Sequence, residues 1–245
     1  MNNYFSFKQF TVWQDKTAMK VGTDGVLLGV LANCSKYSPP QPFIPKKILD
    51  IGTGTGLVAL ILAQRFPQAE ILGVDIDTDA TAQASDNFKN SPWSNRLSTI
   101  CHDIVTLQTN ETYDLIVCNP PYFNDSLKCP NDQRSIARHT ITLNYQDLVK
   151  SVKRLINSNG KFVIILPTDN FKSFMSIAEQ NELYCSAYTN VFPNINKPSK
   201  RIVAEFQNKK ILHEPYTYTL TIEESRYIYT FEFKELTKDY YLDRK

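Results

Sequence analysis

From Lys47 to Leu166 the chain alternates short apolar runs with longer stretches whose apolar residues recur every three or four positions. The runs Lys47 to Ile51, Glu70 to Ile76, Leu97 to Cys101, Tyr113 to Cys118 and Lys161 to Leu166 predict strands. Between them, Leu57 to Phe66, Thr78 to Asn90 and Gln146 to Ile156 predict helices, the last ended by Gly160. Such alternation builds parallel βαβ units, because a parallel neighbour can be reached only through a crossover.

Past Leu166 the pattern changes. Tyr184 to Val191 and Arg201 to Phe206 are β-rich and are separated by a polar stretch holding Pro193 and Pro198. No helical pattern lies between them, so they predict an antiparallel hairpin at the sheet edge. Phe231 to Leu242 has near-helical apolar spacing and predicts a covering helix. At the other end, Thr23 or Asp24 is placed to cap a helix running through Leu31. The prolines of Ser38-Pro39-Pro40-Gln41-Pro42 then interrupt regular structure. The expectation is one α/β domain over 1–245, with an N-terminal segment (1–42), a core (46–208) and a C-terminal extension (209–245).

Composition refines this only slightly. A chain of 245 residues, 42% hydrophobic, can bury one sizeable core. Because no apolar run approaches a membrane span and Met1-Asn2-Asn3 does not open a signal peptide, a soluble cytoplasmic protein is expected. Five scattered cysteines without a C-x-x-C pair read as free thiols, and three histidines without ligand spacing give no reason to expect a metal. A net charge of +2 is silent about polyanionic partners; any nucleic-acid surface must come from local clusters.

Candidate chemistry begins with the glycines. Of eight in the chain, three fall in Asp50-Ile51-Gly52-Thr53-Gly54-Thr55-Gly56, between a strand and a helix. Glycines at such a turn permit positive φ and close ligand approach, at the carboxyl edge where α/β sheets bind ligands. The spacing is G-x-G-x-G: the dinucleotide fingerprint would need a glycine at Leu57, and no Gly-Lys-Ser/Thr follows to make a P-loop. The next strand ends in Gly73-Val74-Asp75-Ile76-Asp77, which puts Asp75 where a ribose would lie and leaves Asp77 to cap the following helix. After the third strand, Cys101-His102-Asp103-Ile104 offers a carboxylate at the same edge, either for an adenine amino group or simply as a turn residue.

This order of D-x-G-x-G-x-G and two acidic strand ends resembles the class I S-adenosylmethionine (AdoMet)-dependent methyltransferases over roughly Lys46 to Phe206. The resemblance implies a Rossmann-like, seven-stranded, mostly parallel sheet with an antiparallel C-terminal edge hairpin. It implies that the glycine loop contacts the methionine part of AdoMet, that Asp75 holds the ribose and that Asp103 reads the adenine ring. Asp50, Thr53, Ile76, Ile104 and Asn119 complete the cofactor contacts expected around these positions.

The fourth strand ends in Asn119-Pro120-Pro121-Tyr122. An adenine amino nitrogen is a poor nucleophile because its lone pair is delocalised into the ring. The Asn119 side-chain oxygen and the Pro120 carbonyl can each accept one of its N–H groups and favour the pyramidal form. Consecutive prolines hold the backbone extended, and Tyr122 offers a face for base stacking. In methyltransferases, N-P-P-Y resembles the acceptor motif of enzymes acting on planar nitrogens: adenine N6, guanine N2 or glutamine amides.

The macromolecule is suggested by a longer likeness. Phe7-Lys8-Gln9-Phe10, Met19 through Gly29, Asn90-Ser91-Pro92-Trp93, Arg134 through Arg138 and Tyr240-Tyr241-Leu242 resemble the bacterial tRNA1(Val) adenine-N6 methyltransferases. By that resemblance Lys20, Thr23, Asp24 and Gly25 close over AdoMet, and the substrate is the adenine next to the anticodon of a valine tRNA. Two basic groups, Arg134, Arg138 and His139, and Lys197, Lys200 and Arg201, are placed to meet RNA phosphates, or else are ordinary solvated surface. Trp13, Trp93 and Phe123 could stack on RNA or pack on the protein. Two alternatives remain: a glutamine N5-methyltransferase of a protein release factor, which shares N-P-P-Y, and a catalytically silent AdoMet- and RNA-binding module.

Overall fold

A computed structural model of the chain describes residues 2–17, 20–37, 43–120 and 143–242. Five parallel strands form its centre: β3 (Lys47–Ile51), β4 (Glu70–Asp75), β5 (Leu97–Cys101), β6 (Tyr113–Cys118) and β7 (Ile156–Pro167). Before them come a separate hairpin of β1 (Tyr4–Ser6) and β2 (Thr11–Trp13), then helix α1 (Thr23–Leu31). Helices α2 (Leu57–Arg65), α3 (Thr78–Lys89) and α4 (Tyr145–Leu155) lie between the central strands in sequence. The rest comprises α5 (Phe171–Gln180), β8 (Tyr184–Asn194), β9 (Arg201–Gln207), β10 (Tyr216–Ser225), β11 (Ile228–Tyr229) and α6 (Phe231–Thr237). Among the described residues no helix is long and apolar enough to cross a membrane.

The sheet runs β5-β4-β3-β6-β7-β9-β8-β10-β11. Strand order therefore reverses between β3 and β6, and it is outside the carboxyl ends at such a reversal that open α/β sheets form a ligand crevice. Alternate strand residues feed two buried layers. Ile48, Leu115, Val117 and Val163 join the side chains of α1, α2 and α3, whereas Leu49, Ile51, Ile116 and Ile164 join those of α4 and α5. That period-two division is why the central strands read as continuous apolar runs.

The first layer is drawn tight by small residues. A Cβ on Gly29 would stand 2.8 Å from Ile61 Cγ2, so α1 and α2 meet there at backbone distance. Arg65 then closes α1 by donating to the carbonyls of Gly29 (2.6 Å) and Ala32 (2.7 Å), which the helix end leaves without partners of its own.

Several sequence expectations change. The sheet has nine described strands, not seven, and the β8–β9 hairpin is not at its edge, because β10 adds parallel to β8 and β11 folds back on β10. The sheet thus continues past residue 208. Gly160 does not end α4, which stops at Leu155; it lies within β7, where a Cβ would press on Ile156 and the Tyr113 carbonyl. Neither Thr23 nor Asp24 caps α1: the cap position is Gly22, without a side-chain bond. The pattern also gave no warning of α5 or of the β1–β2 hairpin. Asp77 does cap α3, accepting from the amides of Asp79 (2.8 Å) and Ala80 (3.2 Å). The proline-rich stretch 38–42 lies outside the described residues.

Candidate active site

Four parallel strands deliver their carboxyl ends to one edge. Register pairs Ile51 with Cys118, Ile51 with Val74, and Asp75 with Cys101, so the segments beginning at Gly52, Asn119, Asp75 and His102 emerge side by side. Neighbouring strands lie about 4.8 Å apart. Asn119 therefore follows β6 directly beside the glycine turn that follows β3.

The turn is pinned to β4. Gly52 and Thr53 both donate their amides to the Val74 carbonyl, at 2.8 and 3.1 Å, and Gly54 donates to Asp75 Oδ2 at 2.9 Å. Gly52 and Gly54 hold φ of +70° and +55°, a region unfavourable for residues bearing a Cβ. A Cβ built on either meets nothing within 4 Å, so both face open space and form a cradle that a ligand can approach at backbone distance. The third glycine serves packing instead: at Gly56 a Cβ would strike the Phe88 ring.

Beneath the cradle, Asp50 is 1% exposed and accepts a 2.8 Å bond from the Thr53 hydroxyl. Burial pushes its carboxyl up to about 7, against the pull of the Thr53 hydroxyl and the Ala59 amide and with a smaller push from Asp75. Burial, with Asp50 and Asp75 adding to it, raises the Cys118 thiol well above its usual range. The side chains of Asp50 and Thr53, both expected as cofactor contacts, are buried and bonded to each other, which braces the turn.

Asp75 is half-buried, and its other oxygen accepts from the Asp77 amide at 3.0 Å. Beside it Ile76 is 52% exposed, an apolar side chain held at a strand tip. The His102 amide donates to the Asp75 carbonyl at 2.9 Å and binds the β5 tip to the β4 tip. Asp103 is half-buried, accepts from the Val105 amide at 2.9 Å and precedes the buried Ile104. Cradle, half-buried carboxylates and exposed apolar tip fit a charged amino-acid head joined to a nucleoside.

The N-terminal residues divide. Thr23 is exposed and Lys20 reaches the Gln14 carbonyl. Gly25 is buried, and a Cβ there would stand 2.9 Å from Leu57 Cδ2, so its role is to seat α1 on α2. Asp24 receives a 2.9 Å bond from Arg201 Nε. That contact joins a residue expected at the cofactor to one expected at RNA. Lys197 and Lys200 are exposed in and beside the β8–β9 turn. Pro120 is buried and Asn119 half-buried. Pro121, Tyr122, Phe123, Arg134, Arg138 and His139 lie outside the described residues.

The model of the methyltransferase small domain family matches residues 30–176, which include the glycine turn, both acidic tips and Asn119-Pro120. Curated tRNA1(Val) (adenine(37)-N6)-methyltransferases match from end to end. That of Bacteroides thetaiotaomicron is 45% identical over 247 residues, covering 100% of this chain and 99% of its own length. That of Flavobacterium psychrophilum is 42% identical over 243 residues, covering 97% and 99%. The chain belongs to the tRNA1(Val) (adenine(37)-N6)-methyltransferase family. Among solved structures, a predicted O-methyltransferase from Agrobacterium tumefaciens superposes with a TM-score of 0.63 at 14% identity, covering 89% of this chain and 96% of that one. The ribosomal protein L11 methylase of Lactobacillus delbrueckii gives 0.54 at 14% identity, over 80% and 84%. These two likenesses speak to the fold.

For a member of this family, one residue unmarked in the sequence stands out. Asn87 on α3 is 1% exposed; its oxygen accepts from the Trp13 amide at 2.9 Å, and its nitrogen donates to the carbonyls of Trp13 and Thr55, both at 2.8 Å. A single carboxamide therefore links the N-terminal hairpin to the glycine turn. Nearby, Gln83 accepts from the Lys16 amide at 2.9 Å and Gln14 from the Val21 amide at 2.7 Å. Two buried polar residues on one face of a helix were the available signal, but they interrupt the apolar stripe and read as surface. Trp13 and Trp93 do find protein partners: Trp13 lies against Tyr4, and Trp93 meets Phe10 edge-on.

Proposed function

We propose that this chain transfers the methyl group of AdoMet to the N6 amino group of an adenine in tRNA, the adenine 3′ of the anticodon of tRNA1(Val). The observation that carries this reading is the register of β3 with β6, which sets Asn119 beside the open cradle at Gly52 and Gly54. When bound, AdoMet supplies a methyl carbon activated by its sulfonium. The open glycine backbone at Gly52 and Gly54 would admit its methionine part, with Asp75 at the ribose and Asp103 at the adenine ring.

Asn119 and Pro120 orient the acceptor. Their two oxygens accept the two N–H groups of the amine and concentrate its lone pair toward the methyl carbon. No base is needed before attack; rate comes from alignment and from dipoles set in place before the base arrives. A loop adenine is displaced from its neighbours at less cost than a duplex base. Lys197 and Lys200, with Arg134, Arg138 and His139, supply phosphate contacts.

The test is to incubate the protein with methyl-labelled AdoMet and a cell extract lacking the endogenous enzyme, then digest labelled RNA to nucleosides. Label recovered as N6-methyladenosine in tRNA is expected. Label in protein alone would overturn the proposal.

A further inference from the structure

A groove of about 520 Å³ opens along the sheet edge on the β7 side of Asn119, between α1, β8, β10 and α6. Arg201, in its lining, pairs with Pro167 at the carboxyl end of β7, and β7 pairs with β6. With about 4.8 Å between strands, β9 and β8 stand roughly 10–15 Å from β6. That distance is within reach of a few nucleotides of one RNA strand.

The bed of the groove is apolar, from Leu27, Val191 and Ile222, and Tyr229 and Tyr241 add ring surface. Its polar lining is mixed: the Asp24–Arg201 ion pair, Lys200 and Glu223 present donors and acceptors together. A lone phosphate would meet two carboxylates, and an aliphatic chain would cover the Lys200 and Glu223 side chains without offering either a hydrogen bond. A flat heterocycle with donors and acceptors on its edges satisfies both bed and lining, and Lys200 complements the phosphate attached to it.

We infer that this groove takes the base of a nucleotide flanking the target adenine in the same strand; this rests on the reading of tRNA as substrate. The groove is then a determinant of which adenine is methylated. The test uses the purified enzyme, AdoMet and an anticodon stem-loop RNA, with an abasic nucleotide placed in turn at each loop position flanking the target. One position is expected to raise KM by about tenfold to a hundredfold, the stacking of one base. Ile222→Trp, which raises a bulky ring from the groove bed into the space a base would occupy, should raise KM for intact RNA similarly and erase the difference between intact and abasic RNA, with AdoMet affinity by calorimetry unchanged. If the wild-type enzyme responds to no abasic position, the inference fails whether or not the variant folds. A folded Ile222→Trp enzyme with wild-type KM and wild-type abasic sensitivity also overturns it. Absence of transfer to intact RNA instead strikes the tRNA reading itself, and this inference with it.

Discussion

The amide of Gly54 donates to Asp75 Oδ2 at 2.9 Å, so the glycine turn after β3 and the acidic tip of β4 form one unit. Asp75 thereby both orders the cradle and offers it a carboxylate. Asp75→Ala removes both contributions, and loss of charged hydrogen bonds of this type costs about 1.5–3 kcal/mol. Calorimetry is expected to show AdoMet bound roughly tenfold to a hundredfold more weakly. Asp75→Asn, which keeps an oxygen for the Gly54 amide, should fall between the two. Wild-type affinity in the alanine variant would remove Asp75 from the site.

Asn119 lies on the other side of the turn, beyond Cys118, and its proposed work concerns the acceptor. Asn119→Ala should therefore lower kcat by about a hundredfold to a thousandfold, as when a preorganised hydrogen-bonding group is lost from a reacting centre. AdoMet affinity should change little. Single-turnover rates beside calorimetric titrations separate the two effects; a full rate in the variant contradicts the assignment.

Asp50 supplies a dependence on pH. Its folded pKa of about 7 stands above the ordinary 3.8, so the folded state holds the proton more firmly than the unfolded chain. The associated stabilisation is complete below about pH 4 and is lost as pH rises through 7, a difference of roughly 4 kcal/mol. Asp50→Asn keeps an acceptor for the Thr53 hydroxyl but cannot ionise. Its stability relative to wild type should rise between about pH 4 and pH 7 and level off above that in urea titrations, and a constant difference would show that Asp50 does not titrate in that window.

Asn87 bridges Trp13 and the Thr55 carbonyl from a fully buried position, so truncating it leaves backbone groups without partners in two elements. Asn87→Ala is expected to destabilise the protein by about 2–4 kcal/mol. Because one end of the bridge is the glycine turn, AdoMet binding should weaken as well. Denaturant melts and calorimetry on the folded variant check the two expectations separately.

What was legible in the sequence followed the strength of its periodicity. The five central strands and α2 to α4 are set by apolar runs and stripes, and β3, β5 and β6 begin and end where the pattern placed them. The glycine cluster and the acidic tips were legible because a parallel sheet collects carboxyl ends at one edge. β10 was missed although Tyr216, Tyr218, Leu220 and Ile222 alternate with threonines; it joins the sheet by pairing parallel with β8, past the preceding strand β9, an arrangement that local pattern does not announce. Thr23 and Asp24 read as caps because their residue types favour caps; the carboxylate turns instead to Arg201, a partner 177 positions away that local pattern cannot reveal. Asn87 was hidden for a related reason, since nothing in the periodicity of α3 distinguishes a buried polar bridge from a solvated face.

The Asp24–Arg201 pair also divides the basic residues near the β8–β9 turn by role. Lys197 and Lys200 are exposed, whereas the Arg201 side chain is only 28% exposed and its Nε stands against a carboxylate. A cation that neutralises a phosphate releases a counterion, and its loss flattens the salt dependence of binding; a cation already matched within the protein contributes little to that slope. Lys197→Ala and Lys200→Ala should each reduce the slope of log K against log salt by about 0.7–0.9 for the stem-loop RNA. Arg201→Ala should leave the slope nearly unchanged while weakening the seating of α1. Asp24→Ala leaves Arg201 without that carboxylate and should steepen the slope. Fluorescence anisotropy across a salt series distinguishes these outcomes, and an Arg201→Ala slope matching that of the lysine variants would place Arg201 on the phosphate backbone instead of on Asp24.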